Sequence, residues 1–139
     1  MKSVSKNLVI FAGLLFILTI CFRLFLSQML QYKQFTSAWI IAAFYGIIVF
    51  IIGWTFGKKE KMFLPLYDIG FRFHLVTYII CNLIAEAWYF FDFQSIYENV
   101  ITVHLTVFFW GIVLIFHFVL FLITRKNAIK GIKKSNIFE

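Results

Sequence analysis

The stretch Phe71–Phe91, FRFHLVTYIICNLIAEAWYFF, decides the fold class. It is apolar enough, and long enough, to cross a hydrocarbon core that takes about 20 helical residues. Yet it carries His74, Asn82 and Glu86 within that length. Polar and ionisable groups at membrane depth are costly unless satisfied, so they normally face other protein and mark something functional. Wound at 3.6 residues per turn, His74, Tyr78, Cys81, Asn82 and Ala85 fall on one stripe. The stripe is expected to pack against neighbouring spans, not lipid tails.

The rest of the chain agrees. Of 139 residues, 63% are hydrophobic and 14% charged, with 20 phenylalanines and one proline; the mean hydropathy is +0.92. Such a composition predicts a single all-α integral membrane domain. Four apolar segments emerge, at 8–27, 38–56, 73–91 and 100–124. β-Barrel strands would be half as long and would alternate in polarity. The connections between the segments are short, which predicts two antiparallel hairpins. Lys2 and Lys6 before the run Leu8–Cys21 resemble a signal peptide. No small-residue cleavage site follows, so the segment is expected to stay as the first span.

Eleven of the 13 basic residues fall on one side: Lys2, Lys6, Lys58, Lys59, Lys61, Arg72, Arg125, Lys126, Lys130, Lys133 and Lys134. Lys33 lies on the other and Arg23 within a span. Both termini are therefore expected in the cytoplasm. The net charge of +7 is accounted for by insertion and by anionic lipids on that face, which leaves nucleic acid unnecessary as a partner. Trp39, Trp88, Tyr89 and Tyr97 are expected at the outer interface, Trp54 and Tyr67 at the inner one. Cys21 and Cys81 lie in apolar runs and read as buried free thiols rather than a disulfide framework.

In the second span Ala42, Gly46, Gly53 and Gly57 share a stripe that ends in a GxxxG. Small residues let helix backbones approach closely in lipid. The stripe is expected to pack within the monomer; the alternative is a seam for a second copy or for another membrane protein.

His74 and His117 occupy the same half of the membrane and could meet across the third and fourth spans, whereas His104 points away. Trp110, Leu114, His117 and Phe121 share one face of the fourth span. The separations His74-Leu75-x2-Tyr78-x3-Asn82 and Trp110-Gly111-Ile112-x4-His117 resemble those of the bacterial 2TM (two-transmembrane) domain family over residues 70–130. Val113 stands where that family usually has a second glycine. The resemblance implies residence in a bacterial inner membrane, both hairpin ends in the cytoplasm and a frequent link to signalling. No kinase function is carried over with it.

Three uses of these residues follow. His74, Asn82 and His117 can act as interhelical glue. His74 and His117 can instead bind haem iron axially, or flank a quinone or lipid beside Trp110. Finally, Arg23 and Glu86, at similar depth, are expected to form an ion pair joining the hairpins; in an oligomer they would suit an ion channel or carrier. No nucleophile elbow, P-loop, dinucleotide loop or metalloprotease helix is present, and Cys81 has no partner at zinc-ligand spacing. The expectation is a non-enzymatic accessory or signalling protein acting through helix contacts, with no metal site and no catalytic set.

Overall fold

The computed structural model describes residues 6–60 and 66–130. Four helices make up nearly all of it: α1 (Lys6–Gln31), α2 (Phe35–Glu60), α3 (Leu66–Phe90) and α4 (Val100–Lys130). All four are long and apolar enough to cross a membrane, and there is no strand among the described residues. Each helix is longer than its expected span: α1 and α2 extend at both ends, α3 at its start and α4 at its end. The basic loop between α2 and α3, including Lys61 and Pro65, lies largely outside the described residues, as does the basic tail beyond residue 130.

The ends are capped by identifiable devices. Beyond α1 the Gln34 N–H reaches back to Met29 O (2.9 Å), and beyond α3 the Phe93 N–H reaches Trp88 O (3.0 Å). Both bonds span six residues, the Schellman pattern, which needs one left-handed residue. Lys33 (φ 58°) and Asp92 (φ 56°) supply it without being glycine. At the start of α4, Asn99 Oδ1 accepts the Ile101 N–H (2.9 Å) and so satisfies one of the helix's orphan donors.

Packing is organised around α1. Its buried residues are Phe11, Leu15, Thr19, Arg23 and Ser27, an unbroken i, i+4 row. Such a row inclines across the helix and can meet two neighbours; α1 accordingly packs on both α2 and α3. α2 also touches α3, α4 packs on α3, and among the described residues no close backbone approach joins α2 to α4. The side between α2 and α4 is thus open. Most of the outer surface of α2 and α4 is exposed leucine, isoleucine, valine and phenylalanine, as a lipid-facing surface requires. One of the expected interface aromatics is displaced: Trp88 is buried, because its indole N–H donates to Ser27 Oγ (2.9 Å) in the α1–α3 seam. Trp39 and Trp54 stay exposed.

Candidate functional site

The polar residues of α3 serve two different neighbours. Toward α4, His74 Nδ1 lies 3.0 Å from His117 Nδ1, and the Trp110 indole N–H donates to His74 Nε2 (2.7 Å). An indole N–H can only donate, so His74 Nε2 is an acceptor. A neutral His74 then carries its hydrogen on Nδ1 and donates it to His117 Nδ1, which leaves the hydrogen of His117 on Nε2. Trp110, His74 and His117 form a directed three-ring chain. The two histidines meet at one depth because α3 begins at Leu66 and α4 runs on to Lys130, which places His74 deeper than the apolar run alone suggests. Phe71 closes the same interface on the side nearer the chain termini, edge-on to His117 and stacked against Phe121.

Geometry decides against axial haem ligation by this pair as it is arranged. A metal between two imidazoles needs about 2 Å to each nitrogen, and hence about 4 Å across. The 3.0 Å separation is that of a hydrogen bond, and the second nitrogen of His74 is taken by Trp110. Removing both partners of this bond should cost less than the sum of the single losses. His74→Ala and His117→Ala should therefore couple by about 1 kcal/mol in reversible SDS unfolding, within the range found for polar contacts in membrane proteins. Additive losses would mean that the rings act separately.

Tyr78 and Asn82 divide. The Tyr78 hydroxyl donates to Val107 O on α4 (3.1 Å) and its ring stands edge-on to Trp110. Asn82 instead donates to Tyr78 O within α3 (2.8 Å), so its amide N–H does not bridge helices. Gly111 is what admits the tyrosine: a Cβ there would lie 3.2 Å from the Tyr78 hydroxyl. Gly111→Ala should therefore displace that hydroxyl and lose roughly 1 kcal/mol. In a Tyr78→Phe background the same change should become neutral or stabilising, since alanine favours helix by up to about 1 kcal/mol. An identical effect in both backgrounds would refute the contact.

Toward α1 and α2, α3 presents Cys81. Thr19 donates its one hydroxyl hydrogen to Leu15 O (2.7 Å), so the Tyr45 hydroxyl, 2.8 Å away, donates to Thr19. The Cys81 thiol, 3.2 Å from the Tyr45 oxygen, is left to donate to it. One residue from each of three helices joins this chain, and Phe22 stacks on Tyr45 at 4.3 Å between centroids. Cys81 lies on the polar stripe of α3, but helical period alone names no partner for it. The i, i+4 row through Thr19 was the available signal.

The expected ion pair is corrected. Arg23 pairs with Glu98 in the α3–α4 connection (2.8 Å; side chains 10% and 5% exposed), not with Glu86. Glu98 also accepts from Ser27 Oγ (2.5 Å) and from the Ser95 N–H (3.1 Å), while the guanidinium lies near the rings of Trp88 and Tyr89. Counting residues along spans hid this partner, because the 92–99 connection folds back over the end of α1. Gln31 Oε1 holds it there through Ser95 Oγ (3.0 Å). Glu86 instead meets His104 (3.3 Å) at an exposed position. The channel or carrier reading thereby loses Arg23 as a free pathway charge.

The glycine stripe of α2 does not close against a helix backbone. A Cβ at Gly46 would meet nothing within 4 Å, and one at Gly53 would meet only the Phe11 ring at 3.7 Å. At Gly57 it would touch the Ile69 side chain at 3.5 Å. Ala42 is half-buried. These glycines line a groove between α2 and α4, floored by α1 and α3. It has two chambers of about 420 Å³ each, and Val49 and Thr77 belong to both. Tyr45, Cys81, Asn82 and Trp110 border one chamber; Lys58, His74 and His117 border the other.

No group of three or more potential metal ligands occurs among the described residues. No family model, curated protein or solved structure shows significant similarity to the chain.

Proposed function

We propose that this chain is a non-enzymatic, multi-pass accessory or signalling module of a bacterial inner membrane, working through a binding face within the bilayer. In this reading it spans the membrane as two antiparallel hairpins with both termini in the cytoplasm, as its one-sided basic charge favours. The 2TM-like spacing from His74 to His117 supports a signalling context. The three-ring chain of Trp110, His74 and His117 then clamps α4 to α3.

The observation that carries the reading is that no close backbone approach joins α2 to α4 among the described residues, so that the glycine stripe and the polar floor between them face an open groove. A groove with an unfilled position at Gly46 is a receptive surface in lipid, where close approach and satisfied polar groups drive association. The test is site-specific photo-crosslinking in native membranes. A probe at Val49, on the groove wall, should give discrete adducts that Gly46→Leu removes. A probe at Ile17, on the exposed side of α1, should give adducts that do not respond to Gly46→Leu. Equal behaviour at both positions would contradict the proposal.

A further inference from the structure

The groove has the length, lining and charge of a site for one particular occupant. Its lining runs about 18 Å along α2, from Gly46 to Lys58, and about 24 Å along α3, from Ile69 to Ala85, at 1.5 Å per residue. That is long enough for the headgroup region and one acyl chain of a lipid leaflet, half of a bilayer some 40–45 Å thick. Lys58 borders the end near the termini, its ammonium held 5.2 Å from the centre of the Trp54 ring. Tryptophan and lysine together are the residues that occupy the headgroup level of a membrane. Deeper in, the walls are Val49, Phe50, Gly53 and Phe73, followed by Gly46 and Phe22. They offer apolar surface; His74 and His117 border the same chamber, and the next basic residue is Arg23, whose charge is already paired with Glu98.

We propose that the α2–α4 groove binds one anionic phospholipid. Its phosphate lies at Lys58 and one acyl chain lies along Gly57, Gly53 and Gly46. Charge complementarity selects the headgroup, and the open space at Gly46 admits the chain. A transmembrane helix of a partner or a second copy gains nothing from a cation at one end. This assignment rests on the groove being the working face and names what fills it.

Native mass spectrometry of the full chain released from detergent tests it, with palmitoyl-oleoyl phosphatidylglycerol, the matching phosphatidylcholine and a short-chain ubiquinone as probes. One phosphatidylglycerol per chain should be retained about ten-fold better than phosphatidylcholine. Lys58→Gln should abolish that preference. Gly46→Leu, which places a side chain in open groove space, should cut phosphatidylglycerol retention about ten-fold. Gly13→Leu should not, although its Cβ also meets nothing within 4 Å. Circular dichroism and SDS unfolding check that each variant is folded, and the wild-type comparison of the two lipids stands without them. Equal retention of both lipids, preferential retention of the quinone, or a lipid-free dimer that Gly46→Leu splits would each overturn the assignment. The dimer outcome, or protein adducts at Val49, would leave the groove as the working face while removing the lipid; loss of the Val49 pattern itself would remove both.

Discussion

Glu98→Ala is expected to destabilise the protein by about 3–5 kcal/mol in reversible SDS unfolding, the range for removing one partner of a buried ion pair. The magnitude follows from what stays behind. Arg23 is 8% exposed and its Nε already has no hydrogen-bond partner, so without Glu98 the guanidinium is left buried beside Trp88 and Tyr89. Ser27 and the Ser95 N–H lose their acceptor at the same time, each a further penalty of about 1–3 kcal/mol if water cannot reach it. Replacing both charges, as Arg23→Met with Glu98→Leu, should cost less than Glu98→Ala alone, because no uncompensated charge remains. Glu86→Gln should change stability by less than about 0.5 kcal/mol, since that carboxylate is exposed beside His104. A large effect at Glu86 with a small one at Glu98 would restore the pairing expected from span counting and refute the one described.

The second large effect is at Phe11. Its side chain is 1% exposed and meets Phe73 at 4.8 Å between centroids and Phe56 at 6.5 Å, at the centre of a cluster with Leu15 and Ile69. Phe→Ala in a water-soluble core costs about 3–5 kcal/mol, part of it transfer from water and part the cavity left behind. In lipid the transfer part largely vanishes, because the separated helices still sit in hydrocarbon. Phe11→Ala should therefore cost about 2–3 kcal/mol, almost all of it lost packing. Phe16→Ala, on an exposed position of the same helix, should lie within about 0.5 kcal/mol of the wild type. A loss at Phe16 comparable to that at Phe11 would mean that α1 presents another face to its neighbours.

Four long helices were legible in the sequence because uninterrupted apolarity in segments of about 20 residues has few other solutions. The approach of His74 to His117 was legible too, since each lies on the polar or aromatic stripe of its helix. Other features could not be read by period. Glu98 belongs to a connection, where no helical register tells which way a side chain turns, and its partner is fixed by a Schellman cap at Asp92 and by Gln31 gripping Ser95. Asn82 was on the right stripe, but its amide satisfied its own helix backbone, the habit that makes such residues ambiguous within helices. The glycine stripe of α2 was correctly seen as one face. Whether a small-residue face closes on a neighbour or stays open depends on the arrangement of all four helices, and no single helix encodes that. Trp88 shows the same limit from the other side: tryptophan near a span end suits an interface equally well as a buried donor, and Ser27 on α1 decided which.

His74, Tyr78 and Cys81 of α3 are locked to neighbouring helices by directed hydrogen bonds, and on this the rest depends. The most direct measurement is nitrogen-15 NMR of the histidine side chains in lipid bilayers. The account predicts the Nδ1–H tautomer for His74, the Nε2–H tautomer for His117, and a through-bond coupling between the two Nδ1 atoms that Trp110→Phe weakens. Finding both rings in the same tautomer, uncoupled and exchanging freely with water, would contradict it.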